Sequence, residues 1–215
     1  MTPEEIERQM MARIRGLSAR ANAADIRSEL DSLQSCGRAR LPSSDLVEAL
    51  CQNLSLHGAS HAVVSDRSEA VLAMSGYIAE RYSQRRVVCG YDARLAAMPW
   101  RDGGVLPRFG SAESGDAVAI SYASAAIAET GSLAIPLGRD NPAVNNLLPV
   151  DHIVLVNERD VRAYLEDVWT LDACAPEQTR GVMLISGPSS TADIAMELVV
   201  GAHGPQALHV IVIAA

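Results

Sequence analysis

The sequence predicts an α/β protein built on a mostly parallel, doubly wound sheet. Two observations predict it. Short apolar runs alternate with amphipathic stretches from residue 61 to the last residues. The runs are also continuous and rich in β-branched residues, the pattern of strands buried on both faces. A hydrophobic content of 48% supplies a core, and aromatics at 4% leave that core to Ala, Val, Leu and Ile.

The elements follow in order. Thr2-Pro3-Glu4-Glu5 forms a capping box with proline at the first helical position. Ile6, Met10, Ile14 and Leu17 then share one helix face. A second helix is expected over 23–34, and Leu41-Pro42-Ser43-Ser44 is the best linker. A third helix carries Leu46, Val47, Leu50 and Leu54 and ends at His57-Gly58. Strands are expected at His61–Ser65, Arg86–Cys89, Ala117–Ser121, Leu133–Pro136, Ile153–Val156, Val182–Ile185 and Leu208–Ile213. Helices are expected at 67–82, 92–98, 123–129, 158–168 and 190–200. The division is an N-terminal helical extension, 1–40, and an α/β domain, 41–215.

Composition excludes several chemistries. All 18 basic residues are arginine. A phosphate-binding loop of the Walker type, Schiff-base chemistry and pyridoxal chemistry each need a lysine that is absent. The net charge of −8 and the scattered arginines argue against a nucleic-acid partner. Cys36, Cys51, Cys89 and Cys174 are too far apart for a zinc ribbon or an iron–sulfur motif. Cys51 and Cys89 fall in apolar patterns and read as small buried hydrophobes. His57 and His61 have ligand-like spacing, but Gly58 breaks the helix between them, so no metal site is expected. The acidic N-terminus is no signal peptide, and His203-Gly204-Pro205 interrupts the apolar tail. A cytoplasmic protein is expected.

Three constellations carry chemistry. In Ser186-Gly187-Pro188-Ser189-Ser190-Thr191-Ala192-Asp193, Gly187 permits a tight turn. Hydroxyls and the N–H groups of the following helix would form an anion site. The competing reading is a helix cap at Ser189 or Ser190, with Asp193 favouring the dipole. In Glu129-Thr130-Gly131-Ser132, a carboxylate at a helix C-terminus opposes the dipole. It either points into water or serves as nucleophile, base or hydrogen-bond acceptor. In Gly201-Ala202-His203-Gly204-Pro205, His203 reads as a cap on helix carbonyls, away from the site. Arg139 and Asn141, after a strand, could meet an anionic substrate. Ligands in open α/β sheets sit beyond the carboxyl ends of strands, which directs attention to these turns.

AAIAETGSL, LLPVDHIVLV, ISGPSSTADI and GAHGPQALHVIVI, in this order, resemble the LUD-domain family, and within it the lactate utilization protein C (LutC/YkgG) branch. The resemblance runs over about 120–213 and extends plausibly over 41–215. It implies a three-layer α/β/α fold similar to sugar-phosphate isomerases and CoA transferases, with a helical extension in front. It implies a role beside two companion proteins in oxidising L-lactate to pyruvate. Iron–sulfur clusters are then expected in a partner and no cofactor in this chain. Two departures stand out. Ala195 occupies a usually acidic position, and Ala143-Val144-Asn145-Asn146 replaces a segment that usually carries an arginine.

The function expected is that of a subunit of a lactate-utilization system that binds a small carboxylate or phosphate ligand. Thr130, Gly131, Ser132, Arg139, Gly187, Ser189, Ser190, Thr191 and Asp193 would bind it, with Glu129 as the candidate catalytic group. The alternatives are a free-standing CoA-transferase- or isomerase-like enzyme using Glu129 and a regulatory module without chemistry.

Overall fold

The computed structural model describes residues 3–18, 24, 26–29, 38–175, 177–192 and 198–214. The chain divides into two compact units, Met1–Ala39 and Arg40–Ala215. The first holds α1 (Pro3–Ser18), and residues 24 and 26–29 are also helical. Thr2 and the rest of the expected second helix lie outside the described residues.

Along the second unit run α2 (Leu46–Leu56), β1 (Ser60–Val64), α3 (Arg67–Ala79), β2 (Arg86–Cys89), α4 (Ala93–Ala96), β3 (Leu106–Phe109) and β4 (Val118–Tyr122). Then come β5 (Ala125–Ile127), β6 (Ser132–Leu137), β7 (Asp151–Asn157), β8 (Val161–Arg162) and β9 (Gly181–Ile185). The last are β10 (Ser190–Ala192), β11 (Leu198–Val200) and β12 (Ala207–Ile213). Aspartates start the two longer helices. Asp45 accepts from the Val47 and Glu48 N–H groups, and Asp66 accepts from Glu69 N–H.

Six strands form the central sheet in the order β1-β12-β7-β4-β2-β3, and every neighbouring pair is parallel. The expected mostly parallel sheet with helices against it is therefore present. Side chains alternate between its faces. Ile153, Leu155, Ile211 and Ile213 pack with Val71, Met74 and Ile78 of α3. Val154, Val156, Val210 and Val212 pack with Leu50 and Leu54 of α2 and with Leu133 and Ile135 of β6. Burial on both sides is why these strands read as unbroken apolar runs.

Three expected helices are not there. Residues 123–129 contain β5, residues 158–168 contain 3-10 turns around β8, and Ser190–Ala192 pairs antiparallel with Leu198–Val200. A second sheet, β8-β5-β6-β9, takes the place of helices on the α2 side of the central sheet. Ala125, Ala126 and Ile127 are fully buried in it. Alanine favours a helix in isolation, but here its small side chain lets a strand lie between two packed layers. The ladders to β6 and β8 outweigh the propensity.

The last turns of α2 fix this second sheet. Asn53 Nδ2 donates to the carbonyls of Ala128 (2.7 Å) and Glu129 (3.1 Å). Gly131 adopts φ 62°, and a Cβ there would lie 2.9 Å from the Asn53 carbonyl carbon and 3.0 Å from Leu54 N. A Cβ on Gly187 would lie 2.6 Å from His57 O. Both glycines therefore let backbone meet backbone.

The buried polar groups sort by face. On the α3 side, Asp151 accepts from Tyr77 Oη (3.0 Å) and Tyr82 Oη (2.6 Å). His209 stacks on Tyr77 at 4.3 Å, with its Nδ1 2.8 Å from Ser60 Oγ. On the α2 side His152 is fully buried. Burial pushes both histidines down to about 4, with the Arg81 and His61 charges adding to the effect at His209 and Asp151 opposing it.

Replacing Gly131 with alanine is expected to cost about 1–3 kcal/mol, since a side chain would sit in the left-handed region against α2. Urea unfolding of Gly131→Ala measures it, and an unchanged midpoint would contradict the close approach. Acid is expected to destabilise the fold through the histidines. Both have folded values below their ordinary 6.5. Their stabilisation is whole above that pH and is lost as the pH falls toward about 4, because the unfolded chain takes up protons that the folded chain refuses. Stability measured from pH 7 to 4.5 should fall, and His209→Gln should flatten the slope.

Candidate functional site

Ser186 follows β9 directly, and β9 lies beside β6, so Ile185 faces Leu133 and Ser186 comes level with Ser132. Ser132 Oγ lies 2.6 Å from Ser186 Oγ, and Thr130 Oγ1 donates to Ser132 Oγ at 2.7 Å. A hydroxyl chain thus joins the two motifs that the sequence singled out.

The turn at 186–189 then meets the loop at 201–205. Ser189 N–H donates to Pro205 O (2.8 Å), and Gly201 N–H donates to Ser189 O (2.8 Å). A Cβ on Gly204 would lie 3.1 Å from Ser189 Cβ. His203 was expected to cap helix carbonyls far from the site. No helix is present to cap. The loop does enter the amino end of β12, but the 186–189 turn lies at that end too, because it leaves the second sheet rather than the central one.

Between these two segments is a cavity of about 310 Å³. Ser186, Gly187, Ser189 and His203 line its rim, and His152 and Asn146 line its interior side. Burial argues for this division. Asn146 is 2% exposed and His152 fully buried, whereas His203 is exposed. His152 Nε2 lies 2.9 Å from Ser121 Oγ, which donates to Asn146 Oδ1 at 2.9 Å. Among the described residues, two buried side-chain nitrogens have no hydrogen-bond partner, Asn146 Nδ2 and His152 Nδ1. A buried polar atom without a partner carries a desolvation cost, and its usual explanation is a missing water, ion or ligand.

Asn146, His152 and Ser121 were missed from sequence. Asn145-Asn146 reads in sequence only as the place of an absent arginine, and His152 falls one residue before the expected strand Ile153–Val156. A polar pair inside the apolar stretch around VDHIVLV was the available signal. Asn145 acts structurally. It accepts from Ala112 N–H at 2.6 Å and donates to Gly110 O at 2.9 Å, which fixes the turn that presents Asn146.

The other expected site residues are dispersed. Glu129 Oε2 accepts from Leu165 N–H at 3.2 Å, and Glu129 is not part of the lining of the cavity between 186–189 and 201–205. Arg139 is exposed and lines a different cavity of about 370 Å³. That one lies beyond the carboxyl ends of β2 and β4, beside Asp92, Arg94 and Ser124, at the opposite end of the central strands. There Arg94 is committed to Asp92 and to the Tyr122 and Ala123 carbonyls. Ser190 and Thr191 belong to the β10–β11 ribbon, so the expected cradle of helix N–H groups does not form. Asp193 and Ala195 lie outside the described residues. Cys89 is buried as expected, while Cys51 is only half-buried. Among the described residues no group of three or more His, Cys, Asp or Glu could hold a metal ion, and no helix is long and apolar enough to cross a membrane.

The chain is similar to known proteins in sequence and in fold. Residues 114–213 match the LUD domain. A lactate utilization protein C from Exiguobacterium sp. is 32% identical over 141 residues, which cover 59% of this chain and 60% of that protein. One from Macrococcus caseolyticus is 26% identical over 187 residues, covering 77% and 76%. The match to the first of these thus spans less than two thirds of that relative's length. The crystal structure of a DUF162 family protein from Deinococcus radiodurans superposes with a TM-score of 0.56 at 21% identity, covering 81% of this chain and 99% of the other, a likeness of fold. The chain is thus similar to the LUD domain over residues 114–213 and, in sequence, to proteins named lactate utilization protein C.

Proposed function

We propose that this protein serves a lactate-utilization system, and that its own part is to hold a small carboxylate in the cavity between residues 186–189 and 201–205. One observation carries the choice of site. The cavity is lined by both residues that hold an unpartnered buried nitrogen, Asn146 and His152. The names of the relatives support the system. The distribution of cysteines supports the division of labour. Cys51, Cys89 and Cys174 are free thiols at separate places in the fold. Electron transfer then falls to iron–sulfur partner proteins.

The carboxylate would be held by neutral donors. The Asn146 amide has two N–H groups to give, and the Ser186 and Ser189 hydroxyls lie at the rim. Leu147, Ile185 and Leu208 add apolar wall to the cavity, and an apolar surround strengthens a hydrogen bond beside it. A cavity of this size suits a ligand of a few heavy atoms.

A strain lacking the protein is expected to lose growth on L-lactate and keep growth on pyruvate. The wild-type gene should restore it, and Asn146→Ala should not. Undiminished growth on lactate in the deletion strain would remove the role.

A further inference from the structure

We propose that Arg139 and Arg180 form a second ligand site, which takes the phosphate monoester of a small phosphorylated molecule. The site lies at the carboxyl ends of the central strands, opposite the carboxylate cavity, and does not depend on it.

Topology picks out the place. From β2 the chain passes to β3 on one side, and from β4 it passes to β7 on the other, while β2 and β4 are neighbours. The loops after these two strands part in opposite directions and leave a crevice, the position at which open parallel sheets bind ligands. Two cavities open there. The one of about 370 Å³ takes Asp92 and Arg94 from the loop after β2 and Ser124 from the loop after β4. The other, of about 660 Å³, takes Tyr91 from after β2 and Ser111 from after β3. Arg139 lines both, and Arg180 lines the larger.

The second sheet supplies the arginines. Leu137 at the end of β6 pairs with Gly181 at the start of β9. Arg180 N–H donates to Leu137 O at 3.2 Å, and Thr179 Oγ1 donates to the same carbonyl at 2.7 Å. Arg139 follows that carbonyl by two residues, in a turn closed by Gly138 N–H donating to Asn141 O at 3.1 Å. Gly90 leaves no room for a Cβ against the Asp140 carbonyl, so this turn rests directly on the residue after β2.

Charge and geometry then name the ligand. Both arginines are exposed. Arg94 is committed to Asp92, but among the described residues neither Arg139 nor Arg180 has an ion pair. No acidic residue is among those lining the larger cavity, and Asp140 lines only the smaller. Two positive charges on one cavity repel, and an anion between them turns repulsion into attraction. A carboxylate has one charge and two oxygens, which a single guanidinium satisfies. A phosphate monoester carries about −1.5 to −2 and three free oxygens, so it can engage two guanidinium forks at once. Tyr91 and Ser111 add hydroxyl donors to the same lining. The cavity is larger than a phosphate group and has space for the body of a small molecule.

Phosphorus NMR titration of the intact protein at pH 7 with methyl phosphate and with dimethyl phosphate tests the proposal. The monoester is expected to bind saturably and at least about tenfold more tightly than the diester, which has one charge and two free oxygens. Arg139→Gln and Arg180→Gln, each with an unchanged thermal melt, should each weaken the monoester by about tenfold. Arg101→Gln, an exposed arginine that lines neither cavity, should leave it unaltered. Absence of saturable monoester binding overturns the site. Equal affinity for the two esters overturns the two-arginine grip, and needs no variant to show it. Monoester binding that survives either substitution, or that falls as far in Arg101→Gln, overturns the assignment to Arg139 and Arg180.

Discussion

Backbone meeting backbone at two glycines is the constraint on which the rest of the domain depends. The end of α2 touches Gly131 at Asn53 and Leu54, and Gly187 at His57. Neither contact leaves room for a Cβ. Through them, one helix that already packs on the central sheet positions the start of β6 and the end of β9, which lie side by side at one end of that antiparallel pair. The hydroxyl chain from Thr130 through Ser132 to Ser186 follows from that placement, and so does the turn at 186–189. The glycines of the two motifs thus act chiefly through the bodies of neighbouring elements.

Around that anchor, polarity is distributed with economy. The central sheet buries a carboxylate and two histidines, with Ser121 and Asn157, in strands whose other buried residues are mostly apolar. Asp151 and His209 face α3 and are satisfied there by Tyr77, Tyr82 and Ser60. His152, one residue after Asp151, faces the other way and is satisfied on one nitrogen only. The alternation of side chains along a strand places a completed network and an incomplete one on opposite sides of the same backbone. That contrast sets a polar cluster that is closed within the protein against one that is left open.

Much of the central sheet was legible in the sequence. Val87-Val88, Ile153–Val156 and Val210–Ile213 are apolar without interruption because both faces are covered, and their β-branched content and short length mark them as strands. The second sheet was not legible. Its strand at Ala125–Ile127 is composed of residues that favour helices alone and become a strand only through its neighbours. The rule placing ligands beyond the carboxyl ends of strands then pointed to the wrong end for the 186–189 turn, since that turn leaves β9, outside the parallel sheet. Gly187 and Ser189, which line the candidate cavity, stand out in the sequence because turn chemistry is local. Asn146 and His152 do not, because an unpaired nitrogen is a property of three dimensions.

The order of strands has a consequence for how the domain is made. β1, at residues 60–64, has β12, at residues 207–213, as its partner in the central sheet. The first strand to leave the ribosome therefore has no neighbour to pair with until the last has emerged. During synthesis, β1 and the apolar faces of α2 must wait with their hydrogen-bonding groups and Leu50 and Leu54 uncovered. Loop closure of this length makes for slow folding and a long exposure to aggregation. The final strand acts as a keystone, and the central sheet is completed only when it arrives.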